Sequence, residues 1–468
     1  MFKNNKLESI DLIPDSIRDM LSMHLGDTIN FDENLSASQI KAFDLFKENK
    51  NLLILGSAGV GKSKIVKTMQ EYIRVNTNKK MYVTSTTGIS AYNISGVTIH
   101  SLLGIGTGEM EVNALIKKVA KKKLYRERIL NIDILVIDEA SMLSGDIFEK
   151  LHLLCQNIRK NKLFFGGIQM VFSMDPLQLL PVFNRNNDLY KNIDERLIVE
   201  SPIFNKYLKK DNIVMLKENF RQKNDPIFIN LLGRIRDGTY TADDIKIVTN
   251  RKIIPKNASD HVHLVTSNKK AQIINDTELN KLKTDSIKFS STFNSNGVDE
   301  ETTGLLLKEL QFQFNQKGIT ELVLKKGCRV MLIKNIDVES GLVNGALGTI
   351  IDFSFDHSIN HLVPIVEFDG KGIKQAITPT VWELNIDNCT GTATQIPLML
   401  AYSITIHKSQ SISLDSAVLD LADAFCDHQV FVALSRLRSL DGLYLKSFNP
   451  AKIKVNKKMK DYLENLEL

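Results

Sequence analysis

The sequence predicts an α/β protein of two units with mainly parallel sheets, the second interrupted by a small β-rich barrel. Three observations carry that prediction. Apolar strand candidates at 52–55, 81–85, 133–137 and 169–174 alternate with helical patterns from about residue 35 to 183, the pattern of a parallel sheet covered by helices. A second alternating stretch covers about 203–275 and resumes at 395–448. Between them, 276–394 changes to Val/Leu/Ile strands with turn signals, as in Glu321–Ile333 and Gly345–Phe353. The 468 residues, 43% of them hydrophobic, suffice for several domains of roughly 100–200 residues each.

Composition narrows the class. The net charge of +6 is compatible with a nucleic-acid partner without requiring one. Four cysteines lie far apart with no CxxC pair, which reads as a reduced, metal-free, intracellular chain. No apolar run approaches the ~18 residues of a membrane span, so the chain reads as soluble. The first twenty residues alternate charges and resemble neither a signal nor a transit peptide.

The first strand, Leu52–Leu55, runs into Gly56-Ser57-Ala58-Gly59-Val60-Gly61-Lys62-Ser63 and then a helix-forming segment. Glycines at these positions let successive backbone N–H groups turn inward, and the helix start adds partial positive charge. Lys62 can reach outer phosphates and the Ser63 hydroxyl can ligate Mg²⁺. A nucleoside triphosphate is the expected ligand. The strand 133–137 ends in Asp138-Glu139. Asp138 can hold Mg²⁺ and Glu139 can orient or deprotonate the attacking water. The next strand delivers Asp175 and Gln178, and Gln178 can contact both γ-phosphate and water. Phosphoryl transfer also needs positive charge against its transition state. Arg221 and Arg436, both in the second unit, are the candidates, which would place the triphosphate in a cleft between units.

Three clusters of donors suit phosphate oxygens and sugars: Thr84–Gly88 with Thr87 and Gly88, Gly96–Ser101 with Thr98 and His100, and Thr405–Gln410 with Thr405, His407, Lys408 and Ser409. Taken singly, such clusters are commonly helix caps and turns. The run Lys117–Lys123, followed by Arg126 and Arg128, is the densest positive patch, either a backbone guide or a solvated helix face. His261/His263 and His357/His361 lack suitable neighbours for a metal site and read as structural.

Together these blocks resemble a superfamily-one helicase of the PIF (petite integration frequency) type, related to RecD-like enzymes, over about 35–448. Leu35–Gln39 resembles the glutamine motif that reads adenine, which implies Gln39 as a nucleotide contact. Ala140–Leu143 through Phe165–Gln169 resembles the family's own stretch between its second and third motifs. Thr405–Gln410 and Phe431–Arg436 resemble the last two motifs and imply a nucleotide role for Gln410. Lys325–Asn335 with Gly341–Gly345 resembles an inserted SH3-like domain. The resemblance implies two RecA-like domains: 35–200 for the first, with a duplex-splitting wedge at about 103–130, and 201–275 with 395–450 for the second. The SH3-like domain would be 276–394, preceded by a helical extension at 1–34 and followed by a tail at 451–468. It also implies ATP-driven 5′-to-3′ translocation on single-stranded DNA, with unwinding of forked or duplex DNA and of G-quadruplexes. The processes implied are replication, recombination, repair or genome maintenance, with the protein monomeric or weakly oligomeric on DNA. The sequence departs from the family pattern at Thr86, Met174, Leu180 and Ser411, none of them a charged catalytic group. A DNA-dependent translocase without processive unwinding stays open, as does a non-catalytic relative, although Lys62, Asp138 and Glu139 are intact. A kinase or GTPase sharing only the loop is disfavoured by everything beyond residue 200.

Overall fold

The computed structural model describes residues 31, 33–94, 96–106, 108, 110–181, 195–253, 255, 261–337, 340–370, 372–386, 389–410 and 412–466. The extension expected at 1–34 lies almost wholly outside these residues, and Ser411 lies outside them too.

The first unit is a six-stranded, wholly parallel sheet: β1 (Leu52–Gly56), β2 (Met81–Ser85), β3 (Val97–Thr98), β4 (Ile134–Asp138), β5 (Gln169–Met174) and β6 (Ile213–Leu216), in the order β3-β2-β4-β5-β1-β6. Strands β1 and β4 are buried throughout, as a sheet covered on both faces requires. Phe148, Phe165, Phe172 and Phe204 fill one face as mutually inclined rings with centroids 5.4–6.2 Å apart. Met174, at the end of β5, is fully buried in that same core.

One expected boundary moves. β6 pairs with β1, so the first unit runs to Leu216 rather than ending at 200. The second unit is a four-stranded parallel sheet in the order Ser403–Thr405, Val262–Val265, Ala417–Asp420, Leu443–Ser447.

The insertion between Val265 and Ser403 holds a five-stranded antiparallel sheet, a strand pair, and a three-stranded sheet (Thr292–Asn296, Thr380–Ile386, Cys389–Gln395). It also holds an 18-residue helix, Glu300–Lys317, where strands alone were expected. That helix buries Leu306, Leu310 and Phe314 against the three-stranded sheet, with the Phe314 ring 5.3 Å from Trp382 and 5.4 Å from Phe293. Its sheet-facing strand has Gly391, where a Cβ would meet Leu306 at 2.7 Å.

The expected wedge is a pair of short helices, Val112–Lys121 and Lys123–Asn131. Arg128 is not part of an exposed patch there. It is 1% exposed and donates to the Leu102 carbonyl at 2.9 Å. The expected tail forms a helix, Lys457–Asn465, docked on the first unit through buried Met459 and a Lys458–Glu200 pair at 2.6 Å. No described helix is long and apolar enough to cross a membrane.

Candidate nucleotide cleft and nucleic-acid groove

Ligands of open parallel sheets bind outside the carboxyl ends of the strands, and the functional groups arrive there. The loop after β1 passes directly into the helix Lys62–Asn76. Gly61 sits at φ +83°, a backbone that side chains rarely adopt, with the Gln39 amide lying against it. Gln39 Nε2 donates to the Val60 and Gly61 carbonyls, 3.3 Å each, while Gln39 Oε1 accepts from Ser36 N–H at 3.0 Å. Gln39, expected at the nucleotide, thus holds the loop from behind. The Lys62 ammonium curls back over the loop and donates to the Gly56 and Ser57 carbonyls at 2.8 and 3.2 Å.

Asp138 and Glu139 stand at the end of β4, both buried. Burial raises both carboxyl pKa values. Glu139 is pushed to about 7, with the Asp138 charge adding to burial, and with Lys62 and Arg436 opposing. Glu139 takes a left-handed backbone at φ +51°, uncommon for a residue with a side chain. Hydroxyls from the end of β2 brace it: Ser85 Oγ donates to the Asp138 carbonyl at 3.1 Å and Thr86 Oγ1 to the Glu139 carbonyl at 3.2 Å. A proline at 86 would make no such bond.

The second half of the cleft is cationic. After β6, Phe220 N–H donates to the Gly59 carbonyl at 2.9 Å, which pins the Arg221 loop on the phosphate loop. Arg221 Nη1 and Gln222 Nε2 both donate to the Ser435 carbonyl, at 2.9 and 3.2 Å. Arg436 is 2% exposed and donates to the Val432 carbonyl (2.9 Å), the Ser435 hydroxyl (2.8 Å) and the Ser409 carbonyl (3.3 Å). Burial, with repulsion from Arg436 and Arg438, drives the Arg221 pKa down, and burial lowers Arg436 to about 10. Such a cluster calls for an anion.

The loop residues 57–63 line one cleft of about 370 Å³ with Asp138, Glu139, Gln178, Arg221 and Arg436. Gln410 is not on its wall; it is buried nearby in the chain, and Ser413 and Arg438 take wall positions instead. Arg438, Gln222 and Arg236 were missed from sequence. Arg236 Nη2 meets Asp175 Oδ1 at 2.8 Å across the two units. None of the three carries a local pattern that separates it from a surface residue. Only the adjacency of Arg438 to the Ser435-Arg436 turn could have pointed to it.

The donor set fits Mg²⁺ with a triphosphate. Ser63 and Asp138 both reach the cleft, Glu139 Oε2 is buried without a partner, and Mg²⁺ characteristically takes one or two carboxylates plus substrate phosphates. Among the described residues no group of three His, Cys, Asp or Glu side chains could hold a metal alone.

A second cavity, of about 890 Å³, opens beside β2 and β3 and takes in Thr87, Gly88, Thr98 and His100. The threonines of the three donor clusters act as caps. Thr87 Oγ1 accepts from Ser90 N–H (3.2 Å), Thr98 Oγ1 from Ser101 N–H (3.2 Å), and Thr405 Oγ1 from Lys408 N–H (3.3 Å). Ser409 is likewise buried, donating to the Ile406 carbonyl at 2.7 Å. Each of these hydroxyls closes a turn; Thr87 and Thr98 also line the cavity, whereas Thr405 and Ser409 are buried away from its wall. His100, His407 and Lys408 keep partial exposure, with His407 stacked on Phe425 at 6.2 Å and 17°.

Comparison with known proteins matches this architecture. The family model of the PIF1-like helicase matches residues 34–246, and that of the DNA helicase Pif1 2B domain matches 309–353. An uncharacterized protein, 030L, of Invertebrate iridescent virus 6 is 32% identical, covering 94% of this chain and 96% of its own. The ATP-dependent DNA helicase PIF1 of Xenopus laevis is 32% identical over 90% of this chain, which spans 63% of that protein. The crystal structure of Pif1 helicase from Candida albicans superposes with a TM-score of 0.70 at 31% identity, covering 92% of this chain and 99% of that one. A Bacteroides Pif1 helicase in complex with ADP-AlF3 and ssDNA gives a TM-score of 0.60 at 26% identity, covering 93% and 98%. With both parallel sheets, the cleft between them and the insertion accounted for, this chain belongs to the PIF1-like helicase family.

Proposed function

We propose that this chain is an ATP-dependent DNA helicase that moves 5′ to 3′ along single-stranded DNA and unwinds forked or duplex DNA. One observation carries the reading: phosphate loop, buried carboxylates and arginines from two different sheets meet in one cleft. A Bacteroides Pif1 helicase of similar architecture is described in complex with ADP-AlF3 and ssDNA. Lys62 and the loop N–H groups bind the triphosphate; Ser63 and Asp138 would hold Mg²⁺, which would neutralise charge on the phosphates. Glu139, whose pKa burial raises to about 7, accepts the proton of the attacking water in its ionised form, and Gln178 orients that water. Arg221 and Arg436 meet the charge that builds on the transferred group. Arg436 also holds the Ser409 carbonyl, so a change of position at the finger reaches the turn that carries the half-buried His407 and Lys408. Closing and opening of the cleft thereby moves one contact set relative to the other.

The test is unwinding of forks carrying either a 5′ or a 3′ single-stranded tail, with ATP hydrolysis followed alongside. Unwinding from the 5′ tail and DNA-stimulated hydrolysis are expected, both lost in Lys62→Ala. Unwinding from the 3′ tail alone overturns the polarity, and hydrolysis indifferent to DNA overturns the motor. Thr86→Val, which deletes the brace on Glu139, should lower DNA-stimulated kcat by about 2–10-fold, the worth of one ~0.5–1.5 kcal/mol hydrogen bond. Its affinity for a non-hydrolysable ATP analogue should stay at the wild-type value. Unchanged turnover would show that the brace does not act in catalysis.

A further inference from the structure

The second cavity has a wall that the nucleic-acid motifs do not supply. Lys308, Phe312 and Gln316, three residues at four-residue spacing on the Glu300–Lys317 helix, face Lys118, Lys122 and Tyr125 across it. Four-residue spacing puts all three on one helix face. The opposite face already packs the insertion, through Leu306, Leu310 and Phe314. Phe312 has no such duty and is 46% exposed.

The helix is fixed to the first unit rather than resting on it. The Glu309 carboxylate accepts from Thr98 N–H at 3.3 Å, from Thr98 Oγ1 at 3.5 Å, and from the Ser101 hydroxyl. Gln313 Nε2 donates to the Gly96 carbonyl at 3.1 Å and to Glu309 Oε1 at 2.9 Å. At one end Lys122 pairs with Glu301 at 3.6 Å. At the other, Lys317 lies close enough to Lys408 to feel its charge. An 18-residue helix is about 27 Å long, so this one runs from the wedge to the second unit's contact set. Gly88 lets Phe312 settle on the strand end, since a Cβ there would stand 2.8 Å from the ring.

We propose that the Glu300–Lys317 helix is a third wall of the single-stranded DNA groove and that Phe312 is a platform on which a base stacks. The proposal rests on the helicase reading above. Three lysines (Lys118, Lys122, Lys308) and an exposed aromatic ring around one cavity are the chemistry of single-strand binding, in which charge follows the backbone and π-faces take bases. A duplex, whose bases already stack on one another, offers no face to Phe312. At about 890 Å³ the cavity lies in the range of roughly 300–1,000 Å³ for built ligand sites. Glu309 carries the same sign as a phosphate, so it steers the backbone toward the lysines and leaves the ring for a base.

The experiment is a titration of fluorescein-labelled oligo(dT) by anisotropy over a range of salt, with wild type, Phe312→Ala, Phe312→Trp and Lys308→Ala. Phe312→Ala is expected to weaken binding by about 5- to 150-fold, the range for losing one base–aromatic stack, with the slope of log K against log salt unchanged because no charge is lost. Phe312→Trp should restore affinity. Lys308→Ala should reduce the slope by about 0.7, one phosphate contact on a single strand. A second measurement is photo-crosslinking of oligonucleotides carrying 5-iododeoxyuridine, with the adduct expected on the peptide holding Phe312. A Phe312→Ala protein that melts and binds like wild type, or adducts only on other peptides, overturns the platform while leaving the helicase intact. Failure of wild type itself to bind oligo(dT) overturns the helicase reading and the platform with it.

Discussion

Arg436→Ala is expected to cut kcat for DNA-stimulated ATP hydrolysis by about 10³–10⁵-fold, the span measured for loss of a finger arginine, with analogue binding nearly unchanged. The size follows from where the guanidinium stands. It is 2% exposed, and burial lowers its pKa to about 10 against the opposing charges of Glu139 and Asp175. Its charge is thus held in a poorly screened place beside Glu139, ready for an anion that grows during reaction. Arg436→Lys tests geometry against charge, since a lysine keeps the charge and loses the fork that spans Val432, Ser409 and Ser435. Lysine should keep the fold and analogue binding of the wild type but recover little turnover. Single-turnover hydrolysis with saturating oligonucleotide reads this directly. Arg436→Ala turning over within tenfold of wild type would show that the cleft is completed elsewhere, with Arg438 the nearest replacement on the wall.

The nucleotide half of the site was legible because its constraints are local. Eight consecutive residues must place backbone N–H groups inward, and glycines at φ +84° and +83° (Gly59, Gly61) leave a mark in the sequence itself. The strands of the first sheet were legible for the same reason: fully buried parallel strands read as apolar runs, and the one at 133–137 was displaced by a single residue from Ile134–Asp138. Ownership of a strand was not legible. Ile213–Leu216 looks like any short apolar run, and only pairing with β1 assigns it to the first sheet.

The Glu300–Lys317 helix was hidden by its own pattern. Gln311-Phe312-Gln313-Phe314 alternates with the period of a strand, yet Leu306, Leu310 and Phe314 recur every four residues and are the ones buried. Phe312 breaks the helical pattern because it faces the groove rather than the core. Arg128 erred in the other direction. It sits in a basic run that reads as a solvated face, but packing among the short helices buries it against the Leu102 carbonyl. The threonines Thr87 and Thr98 close turns with their hydroxyls and share the cavity wall with His100, Lys118 and Lys122.

The largest effect on stability is expected at Arg236, which no sequence pattern marked. Its guanidinium reaches from the helix Pro226–Asp237 of the second unit to Asp175, whose side chain is fully buried at the end of β5. Burial alone would raise the Asp175 pKa, but Arg236, with Lys62, outweighs it and holds the carboxyl below its ordinary value. A carboxyl with a lowered folded pKa stabilises the fold above its unfolded pKa and loses that contribution as pH falls through the folded value. Arg236→Met reverses the sign, since burial is then less opposed and the folded pKa moves up. The variant should lose about 3–5 kcal/mol of unfolding free energy at pH 8, the usual penalty for stranding a buried charge. That deficit should shrink toward pH 5 as Asp175 takes up a proton. Arg236→Met with Asp175→Asn should recover most of the loss, because a buried pair replaced at both ends is often near neutral. Urea unfolding of the three proteins at pH 5 and pH 8 measures each term. A deficit in Arg236→Met that is the same at both pH values, and that the double variant does not relieve, would mean the helix is held by packing and the ion pair across the units is incidental.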